Sequence, residues 1–232
     1  MKRSDVISYL DMCRAEGVNL QRGMNYRLRN GYSIILMSLR KGAPYADRVE
    51  EDGQVLIYEG HDEPRHNGIR NPKSVDQPMR YPGGRLTQNG LFFEAASQLK
   101  MKQRTAERVK VYEKIQGGIW TYNGFFHLID AWLEKSNARQ VFKFKLRLLE
   151  NQSKANRAVA ISQGPEHDRV IPTSVKLAVW KRDKGRCVKC DSQRNLHFDH
   201  IIPFSLGGAS IMAENIQVLC AQHNLQKHDR IE

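Results

Sequence analysis

Cys187-Val-Lys-Cys190 and, thirty positions after Cys190, Cys220-Ala-Gln-His223 decide the fold of the C-terminal part of this chain. Two C-x-x-C/H pairs at this separation predict a zinc site, because each pair forms one knuckle and two knuckles complete a tetrahedron. The expected ligands are Cys187, Cys190, Cys220 and His223. Such a zinc is structural, since protein side chains close all four positions, and it stabilises a module too small to build much core.

Alternatives to this ligand set stay open at this point. One alternative is that the two pairs do not meet in space, and another is that His197 or His228 is the fourth ligand in place of His223. A reduced cytosolic protein rarely uses cysteines for disulfides, so three clustered cysteines indicate metal. The fourth cysteine, Cys13, stands alone on a predicted N-terminal helix, which indicates a small core residue.

The residues between and after the two pairs carry a second motif. They are Leu196-His-Phe-Asp199-His200-Ile-Ile-Pro203, then Gly207-Gly208, then Glu214-Asn215-Ile-Gln-Val-Leu, and finally Asn224 and Lys227. Over residues 172–230 this arrangement resembles the HNH endonucleases, which have a ββα-metal fold. Asp199-His200 matches the first motif position, Asn215 the middle one and Asn224 the last, which makes this an H-N-N version.

The resemblance implies a site that hydrolyses DNA with one divalent ion. His200 lies on a predicted strand and would take the proton of the attacking water near neutral pH. Asp199 and Asn224 offer hard oxygens suited to one Mg²⁺ or Mn²⁺ that clamps the scissile phosphate and the leaving group. An isolated Asp-His pair is more often structural, and it is the surrounding motif that favours catalysis here.

Two further residues have supporting roles by the same resemblance. Asn215 would hold the loop that bears His200, and Lys227 would contact phosphate. His223 can also be interpreted as the final H of H-N-H, which would leave the zinc one ligand short. We prefer the H-N-N version, because the zinc needs His223 and Asn224 can bind the catalytic ion.

The first 150 residues have mostly the pattern of β-strands. Strands are predicted at residues 32–39, 55–58, 108–112, 124–129 and 141–148, helices at 3–16 and 90–101, and a long loop at 60–85. Period-two alternation is clearest in residues 141–148. We therefore expect an α+β protein whose N-terminal domain is a barrel or a strongly curved sheet with flanking helices.

Three stretches of this domain resemble the SRA domain, also called YDG, which recognises modified cytosine by flipping it out of the duplex. They are Tyr32-Ser-Ile-Ile-Leu with Ala43-Pro-Tyr45-Ala-Asp47-Arg-Val49 and Gly53-Gln-Val-Leu-Ile-Tyr58-Glu-Gly60; Leu86-Thr-Gln-Asn89-Gly-Leu91; and Arg108-Val-Lys-Val with Trp120-Thr-Tyr122-Asn123-Gly124-Phe-Phe126 and Phe142-Lys-Phe-Lys-Leu-Arg147. The resemblance implies an SRA/PUA-like curved β-barrel.

The same resemblance implies a pocket for a flipped base, which needs flat partners above and below and a polar group on its Watson–Crick edge. Tyr45 and Tyr58 would be the stacking pair, and Asp47 would accept from the cytosine amino group. The chain departs from the family at two places. Tyr-Asp-Gly is Tyr122-Asn123-Gly124 here, with Asn123 expected in a turn, and one extra residue separates Tyr45 from Tyr58.

The chain thus divides into an SRA-like domain at residues 1–152, a linker at 153–171 that contains Gly164-Pro165, and an HNH domain at 172–232. Its 37 Lys and Arg against 25 Asp and Glu give a net charge of +12, which favours a polyanionic partner such as double-stranded DNA. No apolar run reaches the roughly 20 residues of a membrane span. With no signal-peptide pattern at residues 1–5, we expect a cytoplasmic protein.

An SRA-like reader fused to an HNH domain looks like a type IV-like, modification-dependent restriction endonuclease. It would flip and read 5-methyl- or 5-hydroxymethylcytosine and cut the backbone nearby. One HNH site cuts one strand, so a double-strand break implies a homodimer, formed either in solution or only on DNA. Two alternatives remain: an HNH nuclease for unmodified DNA of the homing or phage type, and a DNA-binding module with an inactive nuclease.

Overall fold

The computed structural model of the protein describes residues 1–65, 68–149, 170–202 and 209–227, except the side chain of Asp52. It contains one large sheet, one small sheet and four α-helices, which confirms the predicted α+β class. Most of the segment expected as a linker lies outside the described residues, as do Pro203, Gly207, Gly208 and His228. Among the described residues, no helix combines the length and the apolar character of a membrane span.

The large sheet has the strand order β2-β3-β6-β7-β8-β5-β4, and β1 also pairs with β7. The strands are β1 (Val6–Ser8), β2 (Met24–Asn25), β3 (Ser33–Met37), β4 (Arg48–Glu50), β5 (Val55–Glu59), β6 (Glu107–Gln116), β7 (Ile119–Ser136) and β8 (Arg139–Leu148). Of the strand pairs that the structure describes, only β3 and β6 are parallel. Register shifts interrupt β7 against both neighbours, and such bulges bend a strand, so the sheet curves around its core.

Two helices cover the curved sheet. Helix α2 (Gln88–Lys100) begins at Thr87, whose hydroxyl caps the Gly90 amide, and buries Phe92, Ala95 and Ala96 in the main core. Helix α1 (Tyr9–Glu16) begins at Ser8, which caps the Asp11 amide, and ends at Gly17 in the left-handed conformation. The helix predicted at residues 3–16 is therefore shorter, because residues 6–8 pair with β7 as strand β1.

The C-terminal module has its own hydrophobic core. Its elements are α3 (Thr173–Arg182), β9 (Leu196–His200), β10 (Ile216–Cys220) and α4 (Ala221–Lys227), with short 3₁₀ helices elsewhere at Glu51–Gly53 and Pro72–Ser74 and here at Ala213–Asn215. Strands β9 and β10 are antiparallel and pair His200 with Ile216. The core between them and α3 contains Val179, Leu196, Phe198 and Val218, so the two strands are held against α3.

Candidate functional site

The four predicted zinc ligands lie together in the structure. Cys187, Cys190, Cys220 and His223 have their ligand atoms within 4.8 Å of one another. His223 Nδ1 is 3.3 Å from the Sγ atoms of both Cys187 and Cys220, and the Sγ atoms of Cys190 and Cys220 are 3.8 Å apart. A tetrahedral zinc with Zn–S bonds of about 2.3 Å separates its sulfurs by about 3.8 Å, so these residues fit a zinc ion.

The surroundings of Cys187 favour its thiolate. Burial acts to raise the pKa of this thiol, but hydrogen bonds from backbone amides around it and from His223 outweigh burial and lower the pKa to about 6. Thiolates are the form of cysteine that binds metal. His197, one of the alternative ligands, is bonded through Nδ1 to Asp5 Oδ1 at 2.6 Å instead.

His200 is the last residue of β9. Its Nε2 lies 2.8 Å from the hydroxyl of Ser210, a buried residue that follows the loop after β9. This contact fixes the plane of the imidazole ring. Ser210 was not among the predicted site residues, because nothing in its sequence context distinguishes it from other loop serines.

Asn215 closes the loop between β9 and β10. Its side-chain oxygen accepts from the Ile202 amide at 2.8 Å, and its amide nitrogen donates to the carbonyls of Ile202 and Ala209. The Ile201 amide donates to the Asn215 carbonyl at 2.7 Å. The asparagine thus holds Ile201, Ile202 and Ala209 together, and none of its contacts with described residues suggests a reacting group.

The predicted phosphate contact of Lys227 does not hold in this structure. The Lys227 side chain is 1% exposed, its ammonium lies 2.9 Å from Asp199 Oδ2, and it also donates to the carbonyl of His200. A buried ammonium with these partners has no surface for a phosphate. Lys227 instead ties α4 to the end of β9, where Asp199 and His200 lie.

Asp199 already has a cationic neighbour in the structure. Its Oδ2 atom is buried and, among the described residues, receives no hydrogen bond, because the Lys227 ammonium approaches at ion-pair distance without hydrogen-bond geometry. Asn224 is half-buried on α4, three residues before Lys227, so the two side chains share one face of the helix. The binding of one divalent ion by Asp199 and Asn224 stays a prediction.

The N-terminal domain contains a cavity of about 780 Å³. Tyr45, Asp47 and Tyr58 line it, together with His61, Gly23, Arg22, Ser38 and Trp120. All three residues predicted to read a base therefore border one cavity. Lys73 lies over the outer part of this site, with its ammonium 4.4 Å from the centre of the Tyr45 ring.

Asp47 is held by the backbone. Its two carboxylate oxygens accept from the amides of Glu59 at 3.0 Å and Ser38 at 3.2 Å. Burial raises the pKa of Asp47 to about 7, although these two hydrogen bonds act in the opposite direction. The carboxyl group is thus fixed in place at the cavity wall and titrates near neutral pH.

The ring that lies parallel to Tyr45 is not that of Tyr58, and the stacking of a base between these two tyrosines stays a prediction. Tyr58 is 1% exposed and packs in the main core, where α2 and the large sheet meet. The ring that lies parallel to Tyr45 is that of His61, with 5.2 Å between ring centres and 13° between planes. Tyr58 instead contacts His61, since its hydroxyl is 3.0 Å from His61 Nε2.

His61 is a cavity residue that the sequence did not reveal. The Asn89 side chain accepts from its amide and donates to its carbonyl, both at 2.8 Å. Burial lowers the pKa of His61 to about 4, so the imidazole is neutral at physiological pH. On the opposite side, Gly23 leaves no room for a Cβ atom, which would meet the Tyr58 hydroxyl at 2.6 Å and His61 Nε2 at 2.8 Å.

Asn123, expected in a turn, lies within β7 and is buried. Its side chain contacts Glu113 on β6 and Lys176 on α3, and its amide nitrogen also lies 3.9 Å from the sulfur of Met37. A buried amide between two charged groups stabilises them, so Asn123 belongs to the packing between the domains.

Comparison with known proteins identifies the C-terminal module. Residues 186–230 match the family model of HNH endonucleases, which confirms the HNH prediction for this part of the chain. None of the curated protein sequences compared with the chain matches it.

Several solved structures are similar to the chain. The SRA domain of SUVH5 in complex with fully methylated CG DNA is 21% identical and covers 65% of this chain and 91% of its own, with a TM-score of 0.44. The modification-dependent TagI restriction endonuclease is 19% identical and covers 97% of this chain and 76% of its own, with a TM-score of 0.42. KRYPTONITE in complex with mCHG DNA and SAH is 18% identical and covers 71% of this chain and 34% of its own, with a TM-score of 0.45.

Proposed function

We propose that this protein is a modification-dependent endonuclease, which reads 5-methyl- or 5-hydroxymethylcytosine in double-stranded DNA and hydrolyses the backbone nearby. The observation that carries the proposal is a single chain with an HNH module and, in its other domain, a cavity of about 780 Å³ lined by aromatic rings and a buried carboxylate. A flipped base needs both kinds of group, stacking faces and a hydrogen-bonding edge.

In the reading step, the base would enter the cavity beside Tyr45. The ring of Tyr45 offers a stacking face, and a neutral His61 adds a polar ring without a charge to repel or attract the base. The Asp47 carboxylate, fixed by two backbone amides, would accept from the cytosine amino group. Burial of these groups makes the interaction stronger than it would be in water.

In the cutting step, His200 would remove a proton from the attacking water while Ser210 holds its ring. Asp199 and Asn224 would hold one Mg²⁺ or Mn²⁺, which supplies charge stabilisation at the scissile phosphate and the leaving oxygen. Asn215 keeps the loop after β9 in place, and Lys227 orients Asp199. Cys187, Cys190, Cys220 and His223 would hold the structural zinc.

Digestion of matched plasmids tests the proposal. Three preparations of one plasmid carry unmodified, 5-methyl- or 5-hydroxymethylcytosine and are incubated with Mg²⁺ or with Mn²⁺. We expect cleavage of a modified plasmid and none of the unmodified one. Equal cleavage of all three would indicate an HNH nuclease for ordinary DNA, and no cleavage under any condition would leave only a DNA-binding module.

The His200→Ala variant separates reading from cutting. Removal of the general base should abolish hydrolysis, and it should leave the affinity for modified DNA unchanged, because the cavity lies in the other domain. Cleavage by this variant at the normal rate would show that another group activates the water. A gel-shift assay with a single modified cytosine in the duplex measures the affinity.

A further inference from the structure

The N-terminal segment, residues 3–8, contacts both domains at once. The Ser4 amide donates to the Tyr122 carbonyl at 2.8 Å, while the Ser4 carbonyl accepts from the Phe198 amide at 3.1 Å. Ser4 has φ of 72°, in the left-handed region, so its amide and carbonyl reach two different sheets. The segment therefore extends the edge of β9 and, through strand β1, remains part of the large sheet.

A side-chain contact reinforces this strand pairing. Asp5 forms an isolated antiparallel bridge with His197, and its Oδ1 lies 2.6 Å from His197 Nδ1. His197 is two residues before Asp199 and three before His200 on β9. The strand that carries the predicted cutting residues is thus paired with β10 on one edge and with the N-terminal segment on the other.

A second contact between the domains is polar and buried. The Lys176 cluster consists of Lys176 and Thr173 on α3, Glu113 on β6 and Asn123 on β7. The Lys176 ammonium, with no exposed surface, lies 2.8 Å from both Glu113 Oε2 and Asn123 Oδ1, and Thr173 also bonds Glu113. A buried ion pair is stable only in well-defined geometry, so this cluster fixes α3 on the large sheet.

The backbone passes directly from one hydrophobic core to the other where it enters the nuclease module. Val170 is buried in the main core of the N-terminal domain, and the next residue, Ile171, is buried in the core of the nuclease module. Val170 also packs against Gly53, where an added Cβ would lie 2.9 Å from the Val170 carbonyl oxygen. Three independent contacts therefore join the two domains.

We infer that the N-terminal segment and the Lys176 cluster lock the nuclease module onto the reading domain, and that this lock sets where DNA is cut relative to the recognised base. Asp5, His197 and Lys176 are the positioning residues of the lock. The consequence for cutting rests on the proposed function. The lock itself rests on the contacts alone, and it means that the length of the segment between residues 149 and 170 does not determine the cutting position.

Insertion of a flexible segment between residues 149 and 170 tests whether the lock sets the cutting position. Six Gly and Ser residues are inserted between Ser153 and Lys154, and the ends produced on duplexes with one modified cytosine are mapped by sequencing. We expect the same cut positions as in the wild type and, in small-angle X-ray scattering without DNA, a nearly unchanged radius of gyration. Broader cut positions and an expanded particle would overturn the inference, because they would show that the connecting segment sets the geometry.

The complementary experiment releases the lock. The Asp5→Asn, Lys176→Met double variant should cut at more positions around the modified base and have a larger radius of gyration, while its affinity for modified DNA stays at the wild-type level. Asp11→Asn, Lys181→Met is the matched control, since both residues are exposed on the same parts of the chain and make no contact between domains. A folded double variant that keeps the wild-type cut positions and dimensions would overturn the inference.

The outcomes separate the lock from the proposed function. If the wild type cuts modified and unmodified plasmids alike, the proposed function fails, and the scattering of the insertion and release variants still decides the lock. If the release variant does not fold, the insertion variant decides it alone. Modification-dependent cutting at positions that shift with the insertion would retain the function and reject the lock.

Discussion

Asp47 is a carboxyl group whose surroundings make it sensitive to pH near neutrality. Burial raises its pKa to about 7, so it becomes protonated as the pH falls below that value. A protonated carboxyl accepts hydrogen bonds poorly, and we expect the affinity for DNA with modified cytosine to fall between pH 8 and pH 6, a range that spans this pKa. Gel-shift titrations check this. The Asp47→Asn variant should bind DNA with modified cytosine weakly at every pH. If its affinity changes with pH as that of the wild type does, Asp47 does not contact the base.

The ring of Tyr45 is expected to contribute a stacking face. Tyr45→Ala should weaken binding of modified DNA by about 1–3 kcal/mol, the usual contribution of one base–aromatic contact. Tyr58→Phe removes only the hydroxyl that contacts His61, so its effect should be smaller and should match that of His61→Phe. Calorimetry with modified and unmodified duplexes measures both. Equal losses for the two duplexes would indicate damage to the fold instead of a lost base contact.

At the level of single residues, the sequence identified some of the residues that line the cavity and missed others. Tyr45 and Asp47 belong to one short stretch whose resemblance to a known family named them. His61 reaches the cavity because Asn89, twenty-eight positions later, holds its backbone. A contact between residues so far apart leaves no periodicity or spacing in the sequence. For the same reason, the pairing of Lys227 with Asp199, twenty-eight positions earlier, was not predicted.

The two knuckles are the element on which the nuclease module depends. A structural zinc contributes an apparent 10–16 kcal/mol to small zinc domains, roughly. We therefore expect Cys187→Ala, or a strong zinc chelator, to abolish cleavage and release zinc, which a metal-sensitive dye detects. Binding of modified DNA should persist, because the main core of the N-terminal domain contains no knuckle residue. Unchanged cleavage after complete zinc removal would contradict a structural zinc.

Helix α1 is attached to the large sheet by a buried carboxylate. Burial acts to raise the pKa of Glu16, but hydrogen bonds from Lys110, Tyr112 and Tyr32 outweigh it and lower the pKa. Because the folded pKa is below the ordinary value, the stabilisation is present above that ordinary value and is lost as the pH falls through the folded one.

Replacement of the Glu16 carboxylate should lower the free energy of unfolding. Glu16→Ala leaves the Lys110 ammonium and two tyrosine hydroxyls without their partner, and loss of one member of a buried pair destabilises by about 3–5 kcal/mol. Urea unfolding at pH 7 and at pH 4 measures the effect. The difference between the two proteins should shrink at the lower pH, and a constant difference would exclude the titration of Glu16 as its cause.

Elements with a strong local signal were predicted close to their true bounds. Helix α2 and strands β5 and β8 have regular apolar periodicity, and each lies within a few residues of its prediction. The N-terminal helix was predicted too long, because residues 6–8 fit a helical pattern equally well. These residues form a strand because they pair with β7, more than a hundred positions later.

For the whole molecule, one HNH site per chain has a kinetic consequence. A single site cuts one strand at a time, so a nicked plasmid should accumulate first at low enzyme concentration, and linear DNA should form faster than in proportion to concentration if two copies cooperate. Agarose gels of a time course measure both species. Linear product without a nicked intermediate at any concentration would mean that a preformed dimer or another site cuts the second strand.

The α+β class, the order of the domains and the HNH module were within reach of the sequence, because each has a local pattern. The contacts that join the domains were not. Asp5 and His197 are separated by 192 positions, and Lys176 and Asn123 by 53. A charged residue predicts an exposed side chain unless its partner is known, and here Lys176 is fully buried because the partner lies on another domain.

Because Ser4 and Asp5 complete the edge of β9, this edge is covered by residues that lie 192 or more positions earlier in the chain. The edge of β9 is therefore covered only when residues 4–5 and residues 196–200 are both in place. A chain that lacks residues 1–5 would leave this edge of the small sheet open to pairing with another strand.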